Sequence, residues 1–373
     1  MTSFLPEAAL AIWIAPLGAT AFFNSTVGEG WAEVNAGEMR PSAGWRNMTV
    51  TAPSRIMDGD NDLAIAEAAR IVRTGQLVGL PTETVYGVAG DATSSQAIAR
   101  IYAAKGRPTF NPLIVHVASL DDARCHGVFS PALETLAQRF WPGPLTLVMP
   151  VRLDSPVAEL ARAGLPTVAL RVPAHPVARA VIERAGRPLA APSANRSGHV
   201  TATEARHVAQ DLGSAVQLIL DGGTRSLGLE STILTEIEGK IVQLRAGALT
   251  RDKITAVLGY PVSAAETGGD GPLAPGMLAK HYAPEKRLRL DAVFPYPGEA
   301  FLGFGALPPH LSALAPSLTL SASGDLTEAA ANLFAYLRAL DGGTGAAIAV
   351  APIPHEGLGE AINDRLARAA LGR

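Results

Sequence analysis

Residues 80–117 read LPTETVYGVAGDATSSQAIARIYAAKGRPTFNPLIVHV, and the fold class turns on how this stretch divides. Just ahead of it, Gln76-Leu-Val-Gly-Leu80 is a short apolar run bounded by Gly75 and Pro81, the pattern of a buried strand. PTETVYG is then a turn-rich loop following that strand. Thr93 or Ser94 is placed to cap a helix whose Ile98, Ile101 and Tyr102 share one face, and Gly106 with Pro108 ends it. Asn111-Pro-Leu-Ile-Val-His-Val117 reads as the next strand. Lys105 therefore stands at a helix C-terminus, which the helix dipole alone would explain. Arg107 is a second cation held in a Gly-Arg-Pro turn, and the corner reads as an element for binding anions.

Outward from this stretch, helical and strand periods alternate. A helix is expected over Asp62–Arg73, capped by Asp60 or Asn61, and others over Pro131–Phe140, Pro176–Ala185 and Thr203–Leu212. Strands are expected at Leu145–Pro150, Val168–Val172 and Pro188–Ala191, and around Leu218, Ile233 and Val242. The fold class is thus α/β: a mixed sheet with flanking helices over residues 58–261, its core complete by Pro261. The order is not a clean βαβαβ repeat, which argues against a doubly wound nucleotide fold. Residues 262–286 form a Gly/Pro-rich connector, and residues 287–373 a smaller α/β unit. Its strands are expected near Leu288, Phe301 and Leu318 and at Ala347–Ala351, with helices Leu326–Leu340 and Leu358–Ala370. Residues 1–57 show no period before the first helix and read as a disordered extension or an over-called start, with Met48 and Met57 as later starts. Phe4 to Phe23 is apolar apart from Glu7, but no Lys or Arg precedes it and Pro6, Pro16 and Gly18 interrupt it, so no membrane span or secretion signal is expected.

Net charge is −3, from 31 Lys and Arg against 34 Asp and Glu, so strong direct nucleic-acid binding through phosphate neutralisation is not expected. The single cysteine, Cys125, rules out an intramolecular disulfide and a cysteine metal cluster, fits a reducing, cytoplasmic setting, and reads as a core thiol. No His/Cys/Asp group has metal-site spacing, and no serine sits in a nucleophile elbow. Gly343-Thr344-Gly345 precedes a strand, the wrong context for a dinucleotide loop.

Two later segments echo PTETVYG, each at an expected strand end: Pro192-Ser193-Ala194-Asn195 and Gly228-Leu229-Glu230-Ser231-Thr232-Ile233. Arg171 lies inside an otherwise apolar strand and needs an anionic partner, either a structural acid or a substrate carboxylate. His116, in Leu-Ile-Val-His-Val, is either a satisfied core histidine or a site residue. Arg245 is either a solvent-facing cation or a phosphate contact. Two fixed cations, several hydroxyls and an Asn amide suit a site for a phosphate chain and a small polar substrate together.

With PTETVYG, KGRP followed by NPLIVHV, WPGPLTLV at Trp141–Val148, TVALRVP, PSANRSG, LESTI and APGMLAKHYAP in this order, the chain resembles the L-threonylcarbamoyladenylate synthase family, the YrdC-type domain in its longer two-domain form. The likeness covers about residues 58 to 285, and the C-terminal unit, ending GLGEAINDRLARAA, is similar to that family's Rossmann-like accessory domain. Residues before about 55 lie outside it.

The resemblance implies a YrdC-like twisted sheet with a central cavity. It also implies a nucleotidyltransferase that makes threonylcarbamoyl-AMP and pyrophosphate from L-threonine, bicarbonate or carbon dioxide, and ATP, with Mg2+ accompanying the ATP. A threonylcarbamoyl transferase complex then modifies tRNA next to the anticodon. By resemblance, Thr84, His116, Arg171, Ser193 and Ser231 surround threonine, with Arg171 on its carboxylate. Arg107, Asn111, Thr167, Asn195, Thr203 and Arg245 contact ATP, and Lys105 and Arg107 supply the charge neutralisation for the chemistry. His281 or Tyr282 folds the connector over ATP as a lid. Two rivals remain: a double-stranded RNA or tRNA-binding module without chemistry, and carbamoyl transfer as in hydrogenase maturation factors with a related domain. The latter carry zinc-finger-like and acylphosphatase-like parts that this chain lacks.

Overall fold

The computed structural model describes residues 54–224, 226–265, 281–308, 311 and 315–372. The first 53 residues of the expected extension, and the connector segment 266–280 with Pro275-Gly276-Met277 and Lys280, lie outside the described residues. The larger part runs β1 (Arg55–Asp58), α1 (Asp62–Arg73), β2 (Val78–Leu80), β3 (Gly87–Asp91), α2 (Ser95–Lys105), β4 (Ile114–His116), α3 (Leu120–Arg124), α4 (Pro131–Phe140) and β5 (Leu145–Pro150). It continues through β6 (Thr167–Arg171), α5 (Pro176–Ala185), β7 (Leu189–Ala190), α6 (Ala205–Leu212), β8 (Leu218–Asp221), β9 (Thr232–Ile237), β10 (Lys240–Arg245), α7 (Arg251–Leu258) and β11 (Ser263–Ala264). The smaller part comprises β12 (Arg287–Arg289), β13 (Glu299–Gly303), β14 (Ser317–Thr319), α8 (Leu326–Asp341), β15 (Ala347–Val350) and α9 (Leu358–Ala370).

Local chemistry sets many of these boundaries. The Asn61 side chain accepts from the N–H groups of Leu63 and Ala64 and starts α1. Ser94 caps α2, and Gly106 ends it in the left-handed conformation at φ 59°, swinging Arg107 out of the helical path. Strand order in the large sheet is β1-β8-β2-β3-β7-β4-β6-β5-β9-β10-β11, with parallel and antiparallel pairs mixed. The small sheet, β12-β15-β13-β14, is parallel throughout. No helix among the described residues is long and apolar enough to cross a membrane.

Three expectations are corrected. β1 pairs in parallel with β8, so the sheet begins at Arg55, inside the stretch assigned to the extension; a four-residue edge strand carries too little pattern to stand out. Cys125 is exposed at the end of α3 rather than in the core, because five residues of helix turn its apolar side inward only at Ala123. The core of the larger part is also not closed by Pro261. Val85, Val200 and Leu229 pack into the apolar cluster formed by Leu333, Phe334 and Leu337 of α8 and Ile362 and Leu366 of α9. Those three residues belong to loops of the first domain, and their burial is completed by the second.

Gly228 marks the closest approach. Its φ is 65°, and a Cβ there would lie 2.3 Å from the Ala330 carbonyl oxygen and 2.5 Å from the Ala331 Cα on α8. Gly228→Ala should therefore cost clearly more stability than Gly164→Ala, where φ is 78° but nothing lies within 4 Å. The second change meets only the left-handed penalty, about 1–2 kcal/mol. Equal drops in thermal midpoint for the two variants would contradict the tight helix–loop contact.

Candidate active site

The central strands hold His116, Thr167 and Arg171 on one face of the sheet. Ile114 and His116, two apart on β4, share a face, as do Thr167, Ala169 and Arg171 on β6. In the parallel β4–β6 register His116 stands directly beside Arg171. Ile114 and Ala169 join Val148 of β5, Ile233 of β9 and Leu244 of β10 in an apolar strip across the sheet. The loops bearing Thr84, Ser193 and Ser231 lie at strand ends as expected, after β2, after β7 and before β9. The PSAN loop leaves β7 beside Ile114, because β7 runs antiparallel to β4.

A cavity with about 500 Å3 of empty space, its open mouth included, is lined by Thr84, His116, Arg171, Ser193, Ser231, Arg107 and Arg245 together with Glu230, His281 and Tyr282. Only about 40 Å3 of it is room for whole water-sized molecules, so its own side chains fill the cavity closely. All five residues expected around threonine line it, as do four of those expected at ATP. Lys105, Asn111, Thr167, Asn195 and Thr203 do not line it, and each is placed differently. Lys105 is buried, and its ammonium donates to the carbonyls of Ser193 and Asn195 at 2.5 and 2.6 Å, tying α2 to the PSAN loop. Burial, then Arg107, pushes its pKa well below the ordinary value. Asn111 accepts from Arg107 Nη2 at 2.7 Å and orients that guanidinium. Thr167 lies four residues from Arg171 along the same face, about 13 Å at strand spacing. Asn195 Oδ1 and Thr203 Oγ1 are buried without a hydrogen-bond partner among the described residues, and so is His281 Nδ1. Such orphaned polar atoms are costly and point toward a bound polar molecule.

Three guanidinium groups meet at this cavity, and each is held by acceptors of the surrounding loops. Arg107 donates through Nε and Nη2 to Asn111 and the Pro112 carbonyl. Burial and then Arg245 bring its pKa down to about 10, still charged at neutral pH. Arg171 Nη2 donates to Glu83 Oε1 at 2.6 Å and Thr84 Oγ1 at 2.9 Å, and Nε donates to the Gly143 carbonyl. Arg245 donates to the Ser231 carbonyl and hydroxyl, and that hydroxyl also bonds Thr146. Gly247 lets the Arg245 loop lie flat on the Glu230–Thr232 backbone, where a Cβ would come within 2.4 Å of the Glu230 carbonyl oxygen.

Glu83 and Glu230 were not singled out in the sequence. Glu83, inside PTETVYG, answers the need of Arg171 for a structural acid, a need that the lone Arg in an apolar strand had signalled. Burial opposes ionisation of Glu83, but the Arg171 charge and hydrogen bond outweigh it and hold its pKa below the ordinary value. Glu230 accepts from Thr201 Oγ1 at 3.0 Å and from Arg365 Nε of α9 at 2.9 Å. Burial works against this carboxylate too, yet Arg365 and then Arg245 lower its pKa to about 2. Beside it, Tyr282 takes a left-handed φ of 65°, stacks on Phe334 of α8 at 5.5 Å and sits under Arg365. His281 meets the Tyr282 ring edge-on at 4.0 Å, so both connector residues face the cavity.

Burial lowers the pKa of both His116 and His281 to about 3, so both are neutral at working pH. A depressed histidine contributes stability that is fully present above its unfolded value near 6.5 and is lost as pH falls from there toward 3. At pH 5 the loss is about 2 kcal/mol per histidine. The paired Glu83 and Glu230 keep their contribution down to the ordinary carboxylate range and do not offset it. Chemical denaturation should show a less stable fold at pH 5 than at pH 7.5, and a flat profile would contradict the neutral burial of these rings.

Both parts of the chain have known relatives. A family profile described as Telomere recombination, of the Sua5, YciO and YrdC type, matches residues 70–247, and a second, described as Threonylcarbamoyl-AMP synthase, C-terminal domain, matches residues 249–371. A Bacillus subtilis protein named threonylcarbamoyl-AMP synthase is 40% identical over 330 residues, spanning 84% of this chain and 94% of that relative. One of the same name from Pyrococcus abyssi is 45% identical over 222 residues, 58% of this chain and 64% of the relative. A crystal structure of P. abyssi Sua5 complexed with L-threonine superposes with a TM-score of 0.77 at 36% identity, covering 85% of this chain and 96% of that one. On this cavity, these two domains and these relatives, the chain belongs to the two-domain threonylcarbamoyl-AMP synthase family.

Proposed function

We propose that this protein joins L-threonine, bicarbonate or carbon dioxide, and ATP to form threonylcarbamoyl-AMP and pyrophosphate, for modification of the tRNA adenosine next to the anticodon. The observation that carries this reading is a single cavity where three buried guanidinium groups converge with Thr84, Ser193 and Ser231 and no activated nucleophile is required. The threonine carboxylate is assigned to the edge of Arg171 not committed to Glu83 and Thr84. The hydroxyls and the neutral His116 ring then serve the threonine amine and hydroxyl. ATP is assigned to Arg107, Arg245 and the orphaned atoms of Asn195, Thr203 and His281, with Thr167 further along the same face. Lys105 and Asn111 act by holding the PSAN loop and Arg107.

The chemistry follows from positioning and charge. The threonine amine captures carbon dioxide as a carbamate, a bicarbonate source losing water in the process. A carbamate oxygen attacks the α-phosphorus in line, and the bond to the β-phosphate oxygen breaks, releasing pyrophosphate with its electron pair. Arg107 and Arg245 neutralise charge on the phosphates, and the enclosed site strengthens both contacts. Mg2+ is proposed to arrive on the triphosphate. The carboxylate lining the cavity, Glu230, is already tied to Arg365 and Thr201, which does not fit a protein-built metal cage. The product is a reactive mixed anhydride, so a threonylcarbamoyl transferase complex is proposed to take it directly to tRNA. The net charge of −3 supports leaving RNA binding to that partner, and a cytoplasmic location fits the same role.

Pyrophosphate release should depend jointly on threonine and bicarbonate, and robust ATP cleavage indifferent to both would overturn the synthase reading. Arg171→Ala should raise the KM for threonine roughly 10- to 100-fold, the loss of a charge-assisted contact, with much less effect on ATP. Equal effects on both substrates would make Arg171 only the partner of Glu83. Arg107→Ala should instead depress kcat, and unchanged kinetics would remove Arg107 from the phosphate site.

A further inference from the structure

Glu230 is a buried carboxylate in the cavity wall with two guanidinium groups close by. One belongs to Arg365 of α9, whose side chain is fully buried. Its Nε donates to Glu230 Oε2 at 2.9 Å and its Nη2 to the Ala246 carbonyl at 2.8 Å, so it grips both loops that frame Arg245. The other is Arg245 itself, bonded to Ser231, the neighbour of Glu230. A buried carboxylate that loses its partner turns to the next cation available. We propose that Arg365 is a positioning residue: by occupying Glu230 from the second domain, it keeps Arg245 turned toward the nucleotide phosphates instead of into an ion pair with Glu230.

The inference rests on the synthase reading for its assay and deepens it, because it gives the C-terminal domain a role inside the site. Two further contacts hold that domain in register for it. Arg338 of α8 pairs with Asp211 at 2.6 Å and donates to the Thr201 carbonyl at 3.1 Å, while Thr201 donates to Glu230. Glu360 of α9 pairs with Arg251 and accepts from Gln243 of β10 at 2.9 Å. Substitution of Arg365 alone leaves these ties in place. Ser231 keeps Thr146 as its other holder, so the threonine side should suffer less than the ATP side.

The test is steady-state pyrophosphate release by the full chain with ATP, threonine and bicarbonate. Arg365→Gln should raise the KM for ATP about tenfold and that for threonine by less than about threefold, as expected when one charged contact is redirected. Adding Glu230→Gln should bring the ATP KM back to within about threefold of wild type, since no carboxylate then remains to capture Arg245. A purely structural tie would also be relieved by neutralising Glu230, but it predicts parallel changes in the KM for ATP and for threonine. An unaffected ATP KM in Arg365→Gln, equal rises for both substrates, or a double variant no better than the single would each overturn the proposal. If Arg365→Gln does not fold, the neutral pair of the double variant and Arg365→Lys, which keeps the charge, decide the matter. Either one folded with an ATP KM tenfold above wild type contradicts the proposal, and loss of folding in all of them would reduce Arg365 to a domain tie. Absence of pyrophosphate release in the wild type would instead count against the synthase reading.

Discussion

Holding three guanidinium groups buried around one cavity is the constraint to which much of the rest answers. A buried cation without acceptors is costly, and Arg107, Arg171 and Arg245 are each held by neighbouring acceptors. Asn111 and Pro112 hold Arg107, Glu83 with Thr84 and Gly143 holds Arg171, and Ser231 holds Arg245. The loops PTETVYG, PSAN and LESTI make sense in this light, as sources of side-chain and backbone acceptors that fix where positive charge points. Lys105 is the same device in another form, its ammonium cross-linking the PSAN loop from beneath.

That constraint also explains why the second domain belongs to the site. Leu229 and Val85 sit in the loops bearing Ser231 and Thr84, and both are buried in the apolar cluster of α8 and α9. Arg365 reaches the cavity wall itself. The smaller domain is thus part of the frame that sets the loops, with the Tyr282 ring of the connector wedged between Phe334 and Arg365.

Much of this was legible in the sequence where the signal is local. Helices α1 and α4 fall where capping residues and apolar period place them, and α5 and α9 where apolar period does. β3 was not separated from the preceding loop, because Gly87 and Gly90 break up its apolar run. Thr84, His116, Arg171, Ser193, Ser231, Arg107, Arg245, His281 and Tyr282 line one cavity, whereas Lys105, Asn111, Thr167, Asn195 and Thr203 do not, a division that depends on strand direction and packing, which the pattern does not carry. Glu83 was recoverable from the unpaired Arg171. Arg365 was not, since its partner lies 135 residues away and only the packing of α9 brings them together.

The most direct test follows the carbon atom. Mass spectrometry of products from ATP, L-threonine and 13C-bicarbonate should show an AMP adduct of threonine carrying the label in its carbamoyl group. ADP with orthophosphate, or an unlabelled threonyl adduct of AMP, would contradict the account.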